Sequence, residues 1–238
     1  MNNFNFIKKR VIWVAILFLL TISFVKTLMT DVENLLQNPS FEEGRSHWFS
    51  LNLPEKPYWQ KFMLSDEKAY LGAKSVHLPL RSSGYKEKIR IVGAIQEVTS
   101  LQQIPKRLSG RYRIENWVQG TPKQYLQVVV SVTGASNWDT GLPVHTPVQL
   151  AYILSGLSTS PVQWRNRKFD FVENVPLVEN EWIYFNKDLH KDFIKYWGVI
   201  PEQINKVRIF LEVRFDERSE HENDAYADVY YDDLYFGN

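Results

Sequence analysis

Apolar and polar residues alternate with a period of two along much of the chain. Over 205–216, Val207, Ile209, Leu211, Val213 and Phe215 point one way, and Lys206, Arg208, Phe210, Glu212, Arg214 and Asp216 point the other. Leu126, Val128, Val130 and Val132 share one face of 124–132, and Tyr112, Ile114 and Val118 oppose Arg111, Arg113, Glu115 and Trp117. Period two is the mark of a strand with one buried face. The pattern predicts strands at 47–51, 74–80, 88–98, 109–118, 124–133, 148–154, 181–187, 205–216 and 226–236. Turn-forming clusters such as Gln119-Gly120-Thr121-Pro122 and Ser158-Thr159-Ser160-Pro161 punctuate them. So many strands predict an all-β fold, a two-sheet antiparallel β-sandwich of the jelly-roll kind. One short helix is predicted at 188–198. Leu189, Phe193 and Trp197 recur at i, i+4 and i+8, Asp188 caps the start and Gly198 the end. Its aromatics are expected to staple one end of the sandwich.

A different pattern occupies the start. Lys8-Lys9-Arg10 precedes an apolar run from Val11 to Val25, broken only by Thr21 and Ser23. Lys26 can snorkel and Thr27-Leu28-Met29 can lengthen the helix, so 11–29 reads as a single transmembrane signal anchor behind a cytoplasmic basic segment, 1–10. A cleaved signal peptide is the alternative, but Ser23 to Asp31 offers no small-residue cleavage triplet. The positive-inside rule then puts 31–238 outside the cytoplasm, periplasmic or at the cell surface.

Composition narrows the function. The 238 residues include 8 Trp, 12 Tyr and no cysteine. Disulfides, thiolate metal sites and a cysteine nucleophile are excluded. Four of the 28 basic residues lie in the first 30 positions, leaving 24 against 27 acidic residues in 31–238. A slightly acidic body does not suit a nucleic-acid backbone.

Both ends of the domain resemble a known family. Asn34-Leu35-Leu36-Gln37-Asn38-Pro39-Ser40-Phe41-Glu42-Glu43-Gly44, followed by Trp48, resembles the opening of the jelly-roll carbohydrate-binding modules found beside secreted cellulases and xylanases, of galactose-binding-like fold. Ala69 to Leu78 and Ser109-Gly110-Arg111-Tyr112-Arg113 are similar to later blocks of that pattern, and Ala227 to Phe236 to its last strand. The segment 134–180 departs from it. The resemblance implies a jelly roll, sugar binding and a structural calcium, whose ligands would match Glu42 and Asp232. Asp233 is the alternative ligand if a bulge shifts the register. Calcium requires several hard oxygens, which two carboxylates and backbone carbonyls can supply.

Three sets of side chains carry candidate chemistry. Arg111, Arg113, Glu115 and Trp117 alternate on one strand, and Arg208, Phe210, Glu212 and Arg214 on another. On one shared sheet they would line a groove for polysaccharide or oligosaccharide, with rings under C–H faces and charged groups bridging hydroxyls. The arginines also suit anionic glycans such as uronic acids. An ordinary sheet face with cross-strand salt bridges is the plainer reading. Tyr58, Trp59, Trp138 and Trp164 sit in turn-rich stretches, where binding residues concentrate.

Catalytic signals are sparse. Glu115 and Glu212 could flank a glycosidic bond only if their strands are neighbours. His77, His145, Tyr152 and His190 are isolated as bases, and Asp216 to Asp224, with His221, reads as a solvated hairpin tip. The expected function is a membrane-anchored, non-catalytic carbohydrate-binding module. A glycan lyase or hydrolase on the same scaffold is one alternative, and an envelope assembly protein with a protein partner is another.

Overall fold

Strand pairing sorts the chain into two layers. The computed structural model describes residues 33–50, 58–82, 87–139, 141–143, 145–162, 164–172, 177–219 and 223–238. The expected anchor and its basic flank lie outside them. Among the described residues no helix is long and apolar enough to cross a membrane. Residues Asn34–Asn238 form one unit. Its strands are β1 (Trp59–Lys61), β2 (Met63–Ser65), β3 (Ser75–Arg81), β4 (Arg90–Gln103), β5 (Arg107–Val118), β6 (Gln124–Thr133), β7 (Val148–Ser155), β8 (Arg167–Phe171), β9 (Trp182–Asp188), β10 (Glu202–Phe215) and β11 (Tyr226–Gly237). One sheet has the order β1-β4-β10-β6-β7-β8, the other β2-β3-β11-β5-β9. The all-β, two-sheet sandwich with one helix is therefore as expected.

Val207, Ile209, Leu211, Val213 and Phe215 of β10 and Leu126, Val128, Val130 and Val132 of β6 meet Val76, Leu78 and Leu80 of β3 and Val229 of β11 in one buried core. Two tyrosines stitch the layers together. Tyr112 of β5 donates to the Leu154 carbonyl (3.3 Å) and Tyr231 of β11 to that of Gln127 (3.3 Å), both in the opposite sheet. Burial pushes the Tyr112 phenol up to about 12, so it stays a donor at any ordinary pH.

Three expectations change. The sheets are not wholly antiparallel, since β1 pairs with β4, and β7 with β8, in parallel. Parallel neighbours need a long crossover, which 156–166 supplies for β8. The strands β1, β2 and β8, too short to show a period, were not predicted, and the described part of the predicted strand 47–51, residues 47–50, forms only a single bridge, from Phe49 to Ile95. Finally, β5 does not alternate to its end. Asn116 takes φ 53° at a register shift against β11. That bulge turns Trp117 inward against the core and leaves Val118 52% exposed.

The helix forms where predicted. In α1 (Leu189–Trp197), Asp188 accepts from the Lys191 amide (3.1 Å), and Gly198, at φ 76°, ends it in the left-handed region a glycine adopts without strain. Phe193 is buried, and Trp138 packs edge-on against Phe193 and Trp197 at 5.6 and 5.7 Å. Asp170 ties β8 to β9 and α1, taking Lys187 (2.7 Å), Lys195 (3.2 Å) and Tyr196 (2.6 Å). Burial pushes its carboxyl up, but these three donors outweigh burial and hold it below the usual aspartate value. Nearby Asp192 is held above that value by burial, although Tyr152 donates to it.

The chain ends close the sandwich. Leu35 donates its amide to Phe236 (2.8 Å), and the Asn34 side chain bridges Leu234 and Phe236. Asp232 accepts from the amides of Tyr70, Leu71 and Asp233 and from the Ser40 hydroxyl. Glu42 accepts from the amides of Ala73 and Lys74. Both carboxylates thus clamp the turn at 70–74. Glu42 Oε1 and both Asp232 oxygens are directed at N–H and O–H protons, which leaves Glu42 Oε2 alone of the four, and this donor set does not fit calcium. The bulge between Asp232 and Tyr235 is present, but Asp233 pairs with Arg111 (3.4 Å). Among the described residues no group of three His, Cys, Asp or Glu side chains could hold a metal ion.

Two outcomes follow for stability. Neither EDTA nor added calcium should shift the melting temperature of the domain, whereas Asp232→Ala should destabilise it by about 1–3 kcal/mol because its donors lose their acceptor. For Asp170, a depressed folded-state pKa stabilises in full above the ordinary aspartate value and is lost as pH falls through the depressed one. Urea melts of Asp170→Asn should therefore show a shallower loss of stability below about pH 4 than the parent chain.

Candidate functional site

The two predicted polar rows do not share a surface. β10 pairs with β4 and β6, and β5 pairs with β11 and β9. Arg208, Glu212 and Arg214 therefore lie on the outer face of the six-stranded sheet, and Arg111, Arg113 and Glu115 on the outer face of the five-stranded one. Alternation tells which side of its own sheet a residue faces, not which sheet it joins. Trp117 leaves its row at the β5 bulge, and Trp138 serves to dock the helix. Glu115 and Glu212, on opposite sides of the sandwich, cannot flank one glycosidic bond.

The β10 row is not a continuous trough either. Phe210 in its middle is buried with Ile95, Val129, Ala151 and Phe169 in a second apolar cluster, against which Leu157 and Val162 of the β7–β8 crossover pack. On one side of this cluster Arg208 is neutralised by Glu97 (2.8 Å), which also pairs with Lys206 (3.4 Å). Burial raises the Glu97 pKa, but these two cations outweigh it and hold the carboxyl below its ordinary value.

The other side differs in kind. Glu212 and Arg214 face Gln127 and Tyr125 of β6 across the strand pair. Gln127 donates to Glu212 (2.5 Å), Arg214 bridges Glu212 (3.5 Å) and Asp216, and Tyr125 donates to Asp216 (2.6 Å). All five are buried. Burial alone disfavours the Arg214 charge, but Tyr125, Asp216 and Glu212 outweigh it and raise its pKa. Asp216 and Arg218 are buried, so this stretch does not begin as the solvated tip expected from sequence. His221 lies outside the described residues.

Two atoms of this cluster have no hydrogen-bond partner: Gln127 Oε1, an acceptor, and Arg214 Nε, a donor. Buried polar atoms are nearly always paired. Trp59 of β1 lies on the same face, packed against the second apolar cluster and near the stem of Glu212. Its ring reaches within 3.3 Å of where a side chain on Gly93 would begin, and the Glu212 Cγ lies 3.5 Å from that point. Only a glycine on β4 lets the indole lie so close to the strand. At the far edge, Arg167 of β8 donates to Gln149 (2.6 Å) and stacks on Trp164, which is 47% exposed. Burial lowers the Arg167 pKa and the Glu212 charge opposes that shift.

The remaining candidates are engaged elsewhere. His77 pairs with Asp228 (2.8 Å) and His190 with the Ile104 carbonyl (2.7 Å), while Tyr152 is buried beneath Asp192. Trp117 lines a separate hollow of about 540 Å³ with Gln119, Ser155 and Phe171. Sequence reasoning did not single out Tyr125, Gln127 or Arg167. The first two were legible as the polar side of β6, where Tyr125 and Gln127 interrupt aliphatic residues. Arg167 sits on a strand with no periodic signal.

No family profile matches the chain, and no curated protein matches it in sequence. Among solved structures, it is similar to a family 61 carbohydrate-binding module in complex with β-1,4-galactotriose, at 15% identity over 87% of this chain and 99% of the other, with a TM-score of 0.43. It is similar to a carbohydrate-binding module specific for non-crystalline cellulose, at 14% identity over 85% and 94%, with a TM-score of 0.45. It is also similar to a xylan-binding domain from Paenibacillus barcinonensis, at 13% identity over 84% and 98%, with a TM-score of 0.43.

The cluster should be stiffly interdependent. Arg214→Leu leaves Glu212 and Asp216 buried without their cation and is expected to destabilise the domain by about 3–5 kcal/mol in urea melts. Arg208→Ala, at a half-exposed pair, should change stability by about 1 kcal/mol or less.

Proposed function

We propose that this chain is a membrane-anchored, non-catalytic module that binds polysaccharide outside the cytoplasm, on the outer face of its six-stranded sheet. The observation that carries this reading is the unpaired couple Gln127 Oε1 and Arg214 Nε in the cluster around Glu212, whose stem shares the space over Gly93 with the Trp59 ring. One is an acceptor and the other a donor, and a sugar hydroxyl is both. The indole offers a flat surface for the C–H face of a pyranose. A buried polar floor with an aromatic wall is the chemistry by which a protein selects a sugar over water.

The same geometry favours a neutral glycan. Arg208 is matched by Glu97, and Arg214 by Glu212 and Asp216, so neither guanidinium of the predicted β10 row is left without a carboxylate of its own protein. That argues against the anionic ligands the arginines first suggested. Placement outside the cytoplasm rests on Lys8-Lys9-Arg10 and the apolar run that follows.

Affinity electrophoresis of the protein through gels containing neutral or acidic glycans tests the proposal. Retardation by at least one neutral polysaccharide and by no polyuronate is expected. Trp59→Ala should weaken it about tenfold, the scale of one lost stacking platform. A panel without retardation would refute sugar binding.

A further inference from the structure

The other predicted row lies on a face of unusual composition. Across the five-stranded sheet, Tyr230 stands opposite Arg113 and Arg113 opposite Trp182, while Arg111 stands opposite Tyr184. The turn at 70–74, held down by Asp232 and Glu42, lays Tyr70 over this row. Its ring meets that of Trp182 edge-on at 6.0 Å. The Arg111 guanidinium sits 3.9 Å from the Tyr70 ring centre and 5.2 Å from that of Tyr184. Tyr70 and Tyr184 are nevertheless 45% and 51% exposed.

The charges between the rings are already matched. Arg111 pairs with Asp233 (3.4 Å), and Glu115 takes both Arg113 (2.6 Å) and Lys68 (3.3 Å). Arg111 Nε makes no hydrogen bond. The face therefore presents preset rings separated by ion pairs, and each of its two guanidinium groups already has a carboxylate partner. It complements a neutral chain in which C–H faces alternate with hydroxyls.

We propose that Tyr70, Trp182 and Tyr184, set around Arg111, form a second glycan-binding face, so that one molecule can hold two polysaccharide chains on opposite sides of the sandwich. This rests on the reading of the chain as a glycan-binding module. It goes beyond it in placing a second, independent site on the other sheet. The sheets are packed face to face, about 10 Å apart, and the two outer faces look away from each other, so a short oligosaccharide cannot span both. Tyr70 and Tyr184 touch solvent and contribute little to the core, so replacing them leaves the fold intact.

The test is calorimetric titration of the full chain, kept in a polyoxyethylene detergent that carries no sugar, with neutral hexasaccharides of cellulose, xylan and galactan. Wild type is expected to bind two molecules of a recognised hexasaccharide per chain. Tyr70→Ala with Tyr184→Ala should reduce this to one, Trp59→Ala alone should weaken one of the two sites about tenfold, and the triple variant should keep only that weakened site, with melting temperatures showing that each variant is folded. If the double variant keeps the wild-type stoichiometry and affinity while Trp59→Ala weakens binding, the second face is refuted and the first site stands. If wild type binds a single hexasaccharide, the two-faced arrangement is refuted. If it binds none, both readings fail together.

Discussion

The space between the two sheets admits no water, and the rest of the structure depends on that exclusion. A side chain pointing into it must be apolar or bring its own partner, as Tyr112 and Tyr231 do by reaching carbonyls of the facing sheet. With a period of two, filling the interior with Val207, Ile209, Leu211, Val213 and Phe215 necessarily drives Arg208, Glu212 and Arg214 to the outside. The chemistry of this molecule sits on its outer faces because its inner faces are taken.

An outward address did not leave those residues in water. On the six-stranded sheet, the β7–β8 crossover and Phe210 make a second apolar cluster, and the polar groups beside it are buried. Charge survives there because carboxylates and guanidinium interleave across β6 and β10. Balancing the charges still leaves Gln127 Oε1 and Arg214 Nε unmatched. The five-stranded sheet solves a similar problem differently. Its arginines stack on tyrosine rings and pair with acids near the surface, so the rings remain half open.

The chain ends show how a resemblance can carry the right residues and a different chemistry. Glu42 and Asp232 meet one turn, as the resembled modules implied, and the bulge beside Asp232 is present. Their oxygens nevertheless receive protons from that turn and from Ser40. Clamping the turn is also what brings Tyr70 over Arg111, so this seam shapes the aromatic face as well as closing the sandwich.

Much of the architecture was legible in residue order. The long strands, the inward rows and the capped helix follow from local periodicity and from Asp188 and Gly198, whose effects reach only a few residues. The outward side of Tyr125 and Gln127 was legible too, given the alternation of β6. What no local pattern contains is the partner of each strand. β5 and β10 carry nearly interchangeable rows of arginine and glutamate, yet hydrogen-bonding partners far away in sequence place them on opposite sheets. The short strands β1 and β8 take their conformation from long neighbours, so Trp59 and Arg167 reach the site by pairing alone. Sequence by itself determined which residues would face out, because alternation is a property of one strand. Tertiary structure alone decided which of them would meet, because sheet order and the Asn116 bulge are set by contacts between strands.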